Sequence, residues 1–505
     1  MDLEFKQDTI SGYDTVAEVT LCQEETLESI VPDACPDILR IVDVCGQALL
    51  TGKQARDGLA CVSGLVRAII LYQPEGEGSL RRMEVSLPFS CQAEAPGLTE
   101  LGTVQASPRL RFAEARVLNP RKVLLRVDLA VDVTACQPME MPLCCGVMET
   151  DDEICQLQYH GEQYQICSVQ EKPFTFREQV RLQGNQNDRP ILLASRAQAV
   201  CSESKLIGSK LIFKGNVELT ALVQESGGVL TSEHEILPFS QVLEIPGAGE
   251  DADCQVHVEV TDLQCTLSEG DNRSLDADFE LLAQVRVRCR RPITLLRDLY
   301  STSHTMEVDT IRQELCQFRE NSVRPQAVRE LLETPGMVRS VVDSRLTLGQ
   351  VRKERDGREL LLTTDVWLAV LYLDEQEDLQ CVRKSVNVTC RLEHPDESSC
   401  SCQSLGEVFA VPAAGGVEVR FSVEFHCLTT AVEEVACVRS ARLGEPRSCG
   451  EGGRPSIVLR SVLPGEGLWE LAKMYGTTTE RILQANELET DVLPEGRMLL
   501  IPGRR

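Results

Sequence analysis

Apolar and polar residues alternate with a period of two in three separate stretches of this chain. The apolar positions carry valine, leucine, alanine or phenylalanine, and the positions between them carry mostly charged or hydrophilic side chains. The alternation runs through residues 123–133, 275–287 and 417–425. Successive side chains of a strand point to opposite faces, so this pattern predicts antiparallel strands with one buried face and one solvated face.

Each alternating stretch closes a larger repeat. The string Leu87–Ser90 (LPFS) recurs as Leu237–Ser240, and Val386–Thr389 takes its place in a third copy. An apolar run and a polar turn precede each string, which predicts a hairpin in every copy. One short helical pattern, Val328–Leu332, competes with the strands in a connector. We therefore expect a mainly β fold with three antiparallel repeats, each a small β-sandwich or rolled sheet, at residues 1–150, 151–310 and 311–445.

The C-terminal end has a different pattern. The spacing i, i+3, i+4 and i+7 of an amphipathic helix joins four apolar residues, Leu468, Leu471, Ala472 and Tyr475. Gly476 ends this helix, and Thr477 with Glu480 is placed to form a capping box for a second one. Apolar strands flank the two helices at 457–462 and 497–502. The sequence predicts a small βααβ domain at 456–505, joined to the repeats by a mobile linker at 446–455.

The charge and hydropathy of the chain limit the classes of partner that it is expected to bind. The net charge of −27 argues against nucleic acid or anionic lipid as the main partner, since phosphate binding needs clustered Lys and Arg. No run of 18 apolar residues occurs, and the chain starts with the acidic Met1–Glu4. We expect no membrane span, no signal peptide and a cytoplasmic location.

Residues with catalytic potential are scattered. The six histidines form no His-x-x-x-His pair, and the sequence has no Gly-x-Ser-x-Gly elbow, Walker loop or Rossmann glycine set. The 22 cysteines include no Cys-x-x-Cys and are expected to be free thiols in a reducing cytosol, although exposed ones could later crosslink the protein. We predict no catalytic residues, no metal and no cofactor, and therefore no enzyme.

The C-terminal domain resembles the LysM domain. The matching residues are Gly465, Leu468, Trp469, Leu471, Ala472, Tyr475, Gly476, Ile482, Asn486, Gly496, Leu499, Ile501 and Pro502. LysM domains generally bind polymers that contain N-acetylglucosamine, in a groove between the loop after the first strand and the loop before the second. The resemblance places this groove at Gly465, Glu466, Gly467, Leu468, Trp469, Asn486, Leu493, Pro494 and Glu495. Glu466 and Gly467 replace the usual Asp-Thr, which removes a hydroxyl from the first loop.

The repeats resemble the SPOCS domain of clostridial spore proteins. The resemblance rests on the hairpin, the LPFS string, and the strings Val31–Ile38 and Asp298–Thr302. The third repeat departs from the pattern at LPFS and lacks the Pro-Asp opening. SPOCS repeats followed by a LysM domain resemble the SipL family. Membership implies a spore-envelope morphogenetic protein, cytoplasmic in the mother cell and placed at the forespore surface or spore coat, whose LysM domain holds a coat-base morphogenetic ATPase.

Two hypotheses of different classes follow. In the first, the chain is a non-enzymatic assembly adaptor whose LysM domain binds that protein partner. In the second, the LysM groove binds peptidoglycan and the repeats are a spacer or platform. The missing Asp-Thr favours the first, as does the single LysM copy, because glycan binding usually gains avidity from several copies. The sequence leaves open the oligomeric state and whether the repeats are rigid or flexibly joined.

Overall fold

The chain folds almost entirely into β-strands, which confirms the predicted fold class. The computed structural model describes residues 3–76, 79–148, 153–184, 189–249, 251–357, 359–393, 397–447, 457–491, 493 and 496–503. Within these residues, three successive units of six strands precede the C-terminal domain.

The first unit contains β1 (Phe5–Ile30), β2 (Ile38–Arg56), β3 (Leu59–Pro74), β4 (Arg81–Glu94), β5 (Thr103–Asn119) and β6 (Lys122–Val147). The second contains β7 (Ile154–Arg181), β8 (Ile191–Ile207), β9 (Lys210–Gln224), β10 (Leu230–Glu244), β11 (Asp253–Leu267) and β12 (Ser274–Ser301). The third contains β13 (His304–Glu333), β14 (Val338–Asp356), β15 (Glu359–Asp374), β16 (Leu379–Leu392), β17 (Glu397–Ala413) and β18 (Gly416–Pro446).

All three units share one topology. The first strand of each unit pairs antiparallel with the sixth, and the sixth also pairs with the fifth. The second, third and fourth strands form a separate three-stranded sheet. The larger sheets of the first and second units meet where Tyr13 lies opposite Ile166, which joins them into one sheet of six strands.

Each unit buries a core between its two sheets. In the first unit, Val66 and Phe89 from one sheet lie in the same apolar cluster as Leu129 from the other. The odd-numbered residues of 123–133 are at most 1% exposed, so the apolar phase of the alternation points inward. The second and third units have equivalent clusters.

The third unit differs from two sequence predictions. The helix predicted at Val328–Leu332 is wrong, because these residues belong to β13 and pair with Val417–Phe421 of β18. That pairing satisfies the backbone and buries Leu332, which outweighs a short helical pattern. The unit also starts at His304, before the predicted boundary at 311, since His304 pairs with Pro446 at the far end of β18.

A β-bulge recurs at the same step of the second strand of each unit. It falls between Ile41 and Asp43, between Leu192 and Ala194, and between Val341 and Asp343. The extra residues Val42, Leu193 and Val342 join one apolar cluster with Leu71, Leu222 and Leu371. Because all three units contribute equivalent residues to this cluster, they are arranged around a common centre with approximate threefold symmetry. The shared bulge also marks the third unit as a copy of the other two.

The far halves of the longest strands form a second junction. Ile10 and Leu143 of the first unit, Leu295 of the second, and Leu315 and Val435 of the third lie in one buried cluster. This explains strands of 26 to 31 residues, such as β6 and β18. One half of each strand closes its own sandwich, and the other half packs against the neighbouring units. The three units therefore form one body.

Ion pairs bind the units together beside the common centre. Arg196 of the second unit donates to both carboxylate oxygens of Asp343 in the third, at 2.8 and 2.9 Å. Arg345 and Arg383 of the third unit donate to Asp43 of the first, at 2.7 and 2.8 Å. Burial alone would raise the pKa of Asp43, but the two guanidinium groups hold it well below its ordinary value.

The junction between the first and second units has no ion pair at the corresponding positions. Cys45 stands where the other junctions have an arginine, and Ala194 stands where they have an aspartate. There the side chain of Gln47 exchanges hydrogen bonds with the backbone of Ala197, donating at 2.8 Å and accepting at 3.4 Å. Elsewhere on the same junction, the Gln284 side chain accepts from the Ala106 N–H at 2.9 Å and donates to the Ala106 carbonyl at 2.8 Å. Polar contacts thus complete all three junctions.

We predict that Asp43→Asn lowers the free energy of unfolding by about 3–5 kcal/mol, because Arg345 and Arg383 lose their buried counter-charge. Urea titration followed by circular dichroism measures the change. Asp57→Asn, in the exposed turn before β3, is the matched control and should have little effect. Equal losses from the two variants would contradict the structural role of Asp43.

We predict that acid lowers the stability that the ion pairs of Asp43 and Asp343 give to the junctions between units. The pKa values of Asp43 and Asp343 are both lowered in the folded protein, Asp343 through Arg196 against the opposing effect of burial. Their contribution to stability is therefore complete above the unfolded carboxyl pKa of about 4 and is lost as pH falls through the folded values. Urea midpoints measured between about pH 5 and pH 2 should fall more steeply in the native protein than in an Asp43→Asn, Asp343→Asn double variant.

Candidate functional site

The C-terminal domain has the predicted βααβ order. It contains β19 (Ile457–Ser461), α1 (Leu468–Tyr475), α2 (Thr479–Asn486) and β20 (Met498–Pro502), and β19 pairs antiparallel with β20. Gly476 ends α1 in the left-handed conformation, with φ of 63°, as predicted. The predicted cap at Thr477 is wrong by one residue. Thr478 precedes α2 as its N-cap residue and accepts a hydrogen bond from the Arg481 N–H at 3.2 Å, while Thr477 is buried.

The first loop of the predicted groove satisfies its own polar groups. The Glu466 carboxylate accepts from the Leu463 N–H at 3.0 Å and forms an ion pair with Arg460. Gly467 precedes α1 and supplies no side-chain cap to that helix. Gly465 turns the loop with a φ of 80°, and its α-carbon faces open space. The acidic group of this loop is therefore turned to its own backbone and to Arg460.

Several predicted groove residues have structural contacts. Leu468 is 4% exposed and belongs to the core of the domain, and Leu493 packs against that core. The Asn486 amide donates to the carbonyls of Ile482 and Leu500 and accepts from the Leu500 N–H, each at 2.7 Å. Asn486 thereby ties α2 to β20. Pro494 and Glu495 lie outside the described residues.

Trp469, another predicted groove residue, faces the body of the protein. Its indole N–H donates to the Asp298 carboxylate at 2.8 Å. Lys473, one turn further along α1, donates to both oxygens of the same carboxylate at 2.7 Å. The sequence places these residues far from Asp298, and only the fold brings them together.

Tyr300, two residues beyond Asp298, completes this contact. Its ring packs edge-on against Trp469, with 4.8 Å between the ring centroids, and its hydroxyl donates to the Thr477 carbonyl at 2.8 Å. Tyr300 is 1% exposed and lies in one apolar cluster with Leu471 and Ile482. Burial, together with a hydrogen bond to Cys155, raises the pKa of Tyr300 well above its ordinary value. One aromatic side chain of the body thus forms part of the core of the C-terminal domain.

The chain approaches this contact along a fixed path. The Arg447 N–H donates to the Ser303 carbonyl at 2.7 Å, and the Arg447 guanidinium donates to the His304 carbonyl at 3.1 Å. The predicted mobile linker, 446–455, therefore begins with two ordered residues, since Pro446 still belongs to β18. Residues 448–455 of that linker lie outside the described residues.

Asp298–Thr302 is read from sequence as a connector, whereas it is the end of β12 and the start of the turn into β13. Asp298 and Tyr300 point to the C-terminal domain, while Leu299 between them is buried in the body with Leu296. The alternation of Asp298, Leu299 and Tyr300 was the sequence signal that these residues lie on opposite faces of a strand. It could not show which domain covers each face.

Two clefts open on the described part of the body. One cleft of about 420 Å³ is lined by Ser11, Gly12, Tyr13, Pro138, Met139, Glu140 and Cys167. Another, of about 310 Å³, is lined by Ala327, Val328, Arg329, Leu405, Glu407, Arg420, Phe421 and Ser422. Among the described residues, no group of three potential ligands could hold a metal ion. Over the same residues, no helix is long and apolar enough to cross a membrane.

No disulfide is formed among the cysteines of the described ranges. Two pairs of cysteines shift each other's pKa, because a hydrogen bond to Cys289 raises the pKa of Cys167 and one to Cys400 raises the pKa of Cys427. Cys400 and Cys427 are direct partners in the register of β17 and β18. Burial raises the pKa of most other thiols, as in Cys265, where it reaches about 12. Such thiols react slowly because little thiolate is present at neutral pH.

Comparison with known families matches three segments of the chain. The family described as SipL, SPOCS domain, matches residues 37–118 and 192–268, and the LysM domain family matches residues 461–502. No curated protein and no solved structure matches the chain. The SPOCS matches cover β2 to β5 and β8 to β11, so the long paired strands lie outside them.

The chain therefore contains two SPOCS domains and a C-terminal LysM domain. This domain content confirms the predicted likeness to SipL. It supports a sporulation-related protein with a LysM domain of the peptidoglycan-binding class, and both families are binding domains without catalytic function.

Asn486→Asp should destabilise the LysM domain, because a carboxylate would replace the amide that donates to two carbonyls. We expect a loss of about 1–3 kcal/mol in local stability. Hydrogen exchange of the α2 and β20 amides measures this directly. Gln484→Glu makes the same chemical change on the exposed face of α2 and is the control. Unchanged exchange in Asn486→Asp would show that these hydrogen bonds do not hold α2 to β20.

Proposed function

We propose that this protein is a non-enzymatic adaptor in assembly of the spore envelope. Its LysM domain tethers a coat-base morphogenetic protein, an ATPase, at the forespore surface in the mother-cell cytoplasm. The observation that carries the proposal is the single LysM domain, held against the SPOCS body and carrying a first loop whose carboxylate is used internally. A LysM domain held in this way presents its exposed surface to a partner at a fixed position relative to the body.

The body supports this role through its rigidity. Equivalent residues of three units close one apolar centre, and charged and amide side chains complete each junction. A rigid body fixes where the LysM domain sits and leaves the outer strand faces free for lateral contacts. Such contacts suit a layered protein assembly.

Peptidoglycan binding by the LysM groove is the second candidate. The observation in its favour is the LysM match itself, together with the open space around Gly465 in the first loop. Against it stands the Glu466–Gly467 sequence, because neither side chain supplies the hydroxyl of the usual Asp-Thr pair. Glycan affinity from one such domain would also lack the avidity of several copies.

Pull-down experiments separate the two candidates. We expect the full-length protein to retain the coat ATPase more strongly than purified peptidoglycan. The double variant Glu466→Asp, Gly467→Thr restores the Asp-Thr pair and should raise glycan retention while leaving the protein partner bound. Strong glycan retention by the native chain, with no retained ATPase, would reverse the order of the two candidates.

Imaging of a fluorescent fusion in sporulating cells tests the proposed location. A ring around the forespore is the expected result, and deletion of residues 457–503 should convert it to diffuse signal. A diffuse signal from the intact fusion would contradict the adaptor role.

A further inference from the structure

We propose that the α1 face of the LysM domain is a recognition surface for an extended segment with a carboxylate two residues before an aromatic ring. In the resting protein, Asp298 and Tyr300 of the chain's own body occupy this surface and act as a latch. A protein partner with the same acidic and aromatic pair would bind by displacing them. The role of an external partner rests on the proposed function, whereas the latch does not.

The geometry of the occupied surface defines the ligand chemistry. Trp469 Nε1 and Lys473 Nζ converge on one carboxylate, with three donor–acceptor distances of 2.7 to 2.8 Å. An indole N–H and an ammonium that share one acceptor select a carboxylate over a neutral amide, because charge-assisted hydrogen bonds are the stronger ones. The surface therefore has a built acidic subsite.

An aromatic subsite lies beside the acidic one. The Tyr300 ring fills it, packing against Trp469 and reaching the Thr477 carbonyl with its hydroxyl. Residues 298 and 300 point the same way because alternate residues of a strand share a face. The ligand must therefore be extended, and the residue between the pair must point away, as Leu299 does.

The charged half and the aromatic half of the latch differ in their exposure to water. The side chains of Asp298 and Lys473 are 24% and 41% exposed, so water and salt screen their attraction. Opening would leave Trp469 and the Tyr300 pocket uncovered, and exposed aromatic surface of this kind favours a protein partner. The ion pair is therefore the weaker half of the latch, whereas Tyr300 is 1% exposed, so a partner must supply a replacement for both groups.

Fluorescence of Trp469 tests the latch without any partner. The chain has two tryptophans, so Trp367→Phe leaves Trp469 as the only reporter. In that background, Asp298→Asn should shift the emission to longer wavelength and increase quenching by acrylamide. Added salt should increase quenching in the parent and have a smaller effect in Asp298→Asn. Asp57→Asn is the control, and identical quenching in all three proteins would overturn the latch.

Lys473→Gln tests the same ion pair from the other side. It should raise quenching as Asp298→Asn does, and the double variant should add little to either single change, since both remove one interaction. Fully additive effects would contradict a shared contact. A change in the circular dichroism of the body would identify misfolding and separate it from opening.

A peptide of residues 297–302 is the probe for the recognition surface. It should bind the Asp298→Asn variant several-fold more tightly than the latched parent, since affinity is reduced by the fraction of closed protein. The same peptide with Asn in place of its Asp should bind weakly. Equal binding to both proteins, or none to either, would overturn the proposal.

The coat ATPase distinguishes this inference from the proposed function. Tighter retention by Asp298→Asn than by the native chain would support both. Equal retention by the two proteins would overturn the displacement of the latch and leave the adaptor role intact. No retention by either, with the fluorescence and peptide results as expected, would overturn the adaptor role and leave the recognition surface.

Discussion

The structure depends on the apolar centre that the three six-stranded units share. Each unit sends the extra residue of a β-bulge into this centre, so the bulge must fall at the same step of the second strand in every unit. A bulge redirects a side chain that a regular strand would hold on the sheet surface. The arginine–carboxylate pairs around the centre then fix the order of the units, because a buried charge is tolerated only beside its partner.

This arrangement explains the unusual strand lengths. A strand that served only its own sandwich could stop near the middle of β1 or β6, whereas the far halves build a second apolar junction among all three units. Covalent linkage in one chain keeps the three units at a fixed ratio. The third unit has the same topology and the same bulge, but it carries Val386–Thr389 where the other two units have LPFS.

The position of the LysM domain follows from the end of the second unit. Strand β12 runs past its sandwich and the central junction, and its last residues reach the LysM helix. Because Tyr300 belongs to the LysM core, the small domain gains apolar burial that its own short sequence could not supply. The same contact orients the LysM domain on the body. The indole of Trp469 faces the body, and residues 463–465 of the first loop are exposed.

The sequence by itself determined the mainly β fold, the threefold repetition, the buried phase of the strands and the LysM domain, since period-two alternation and local turn residues are properties of neighbouring positions. Only the tertiary structure decided that the repeats share one centre, that Val328–Leu332 is a strand, and that the end of β12 holds the LysM helix. Asp298 and Trp469 show the reason. Nothing local to either residue reveals the other, because their contact exists only once β12 has been placed by the packing of all three units.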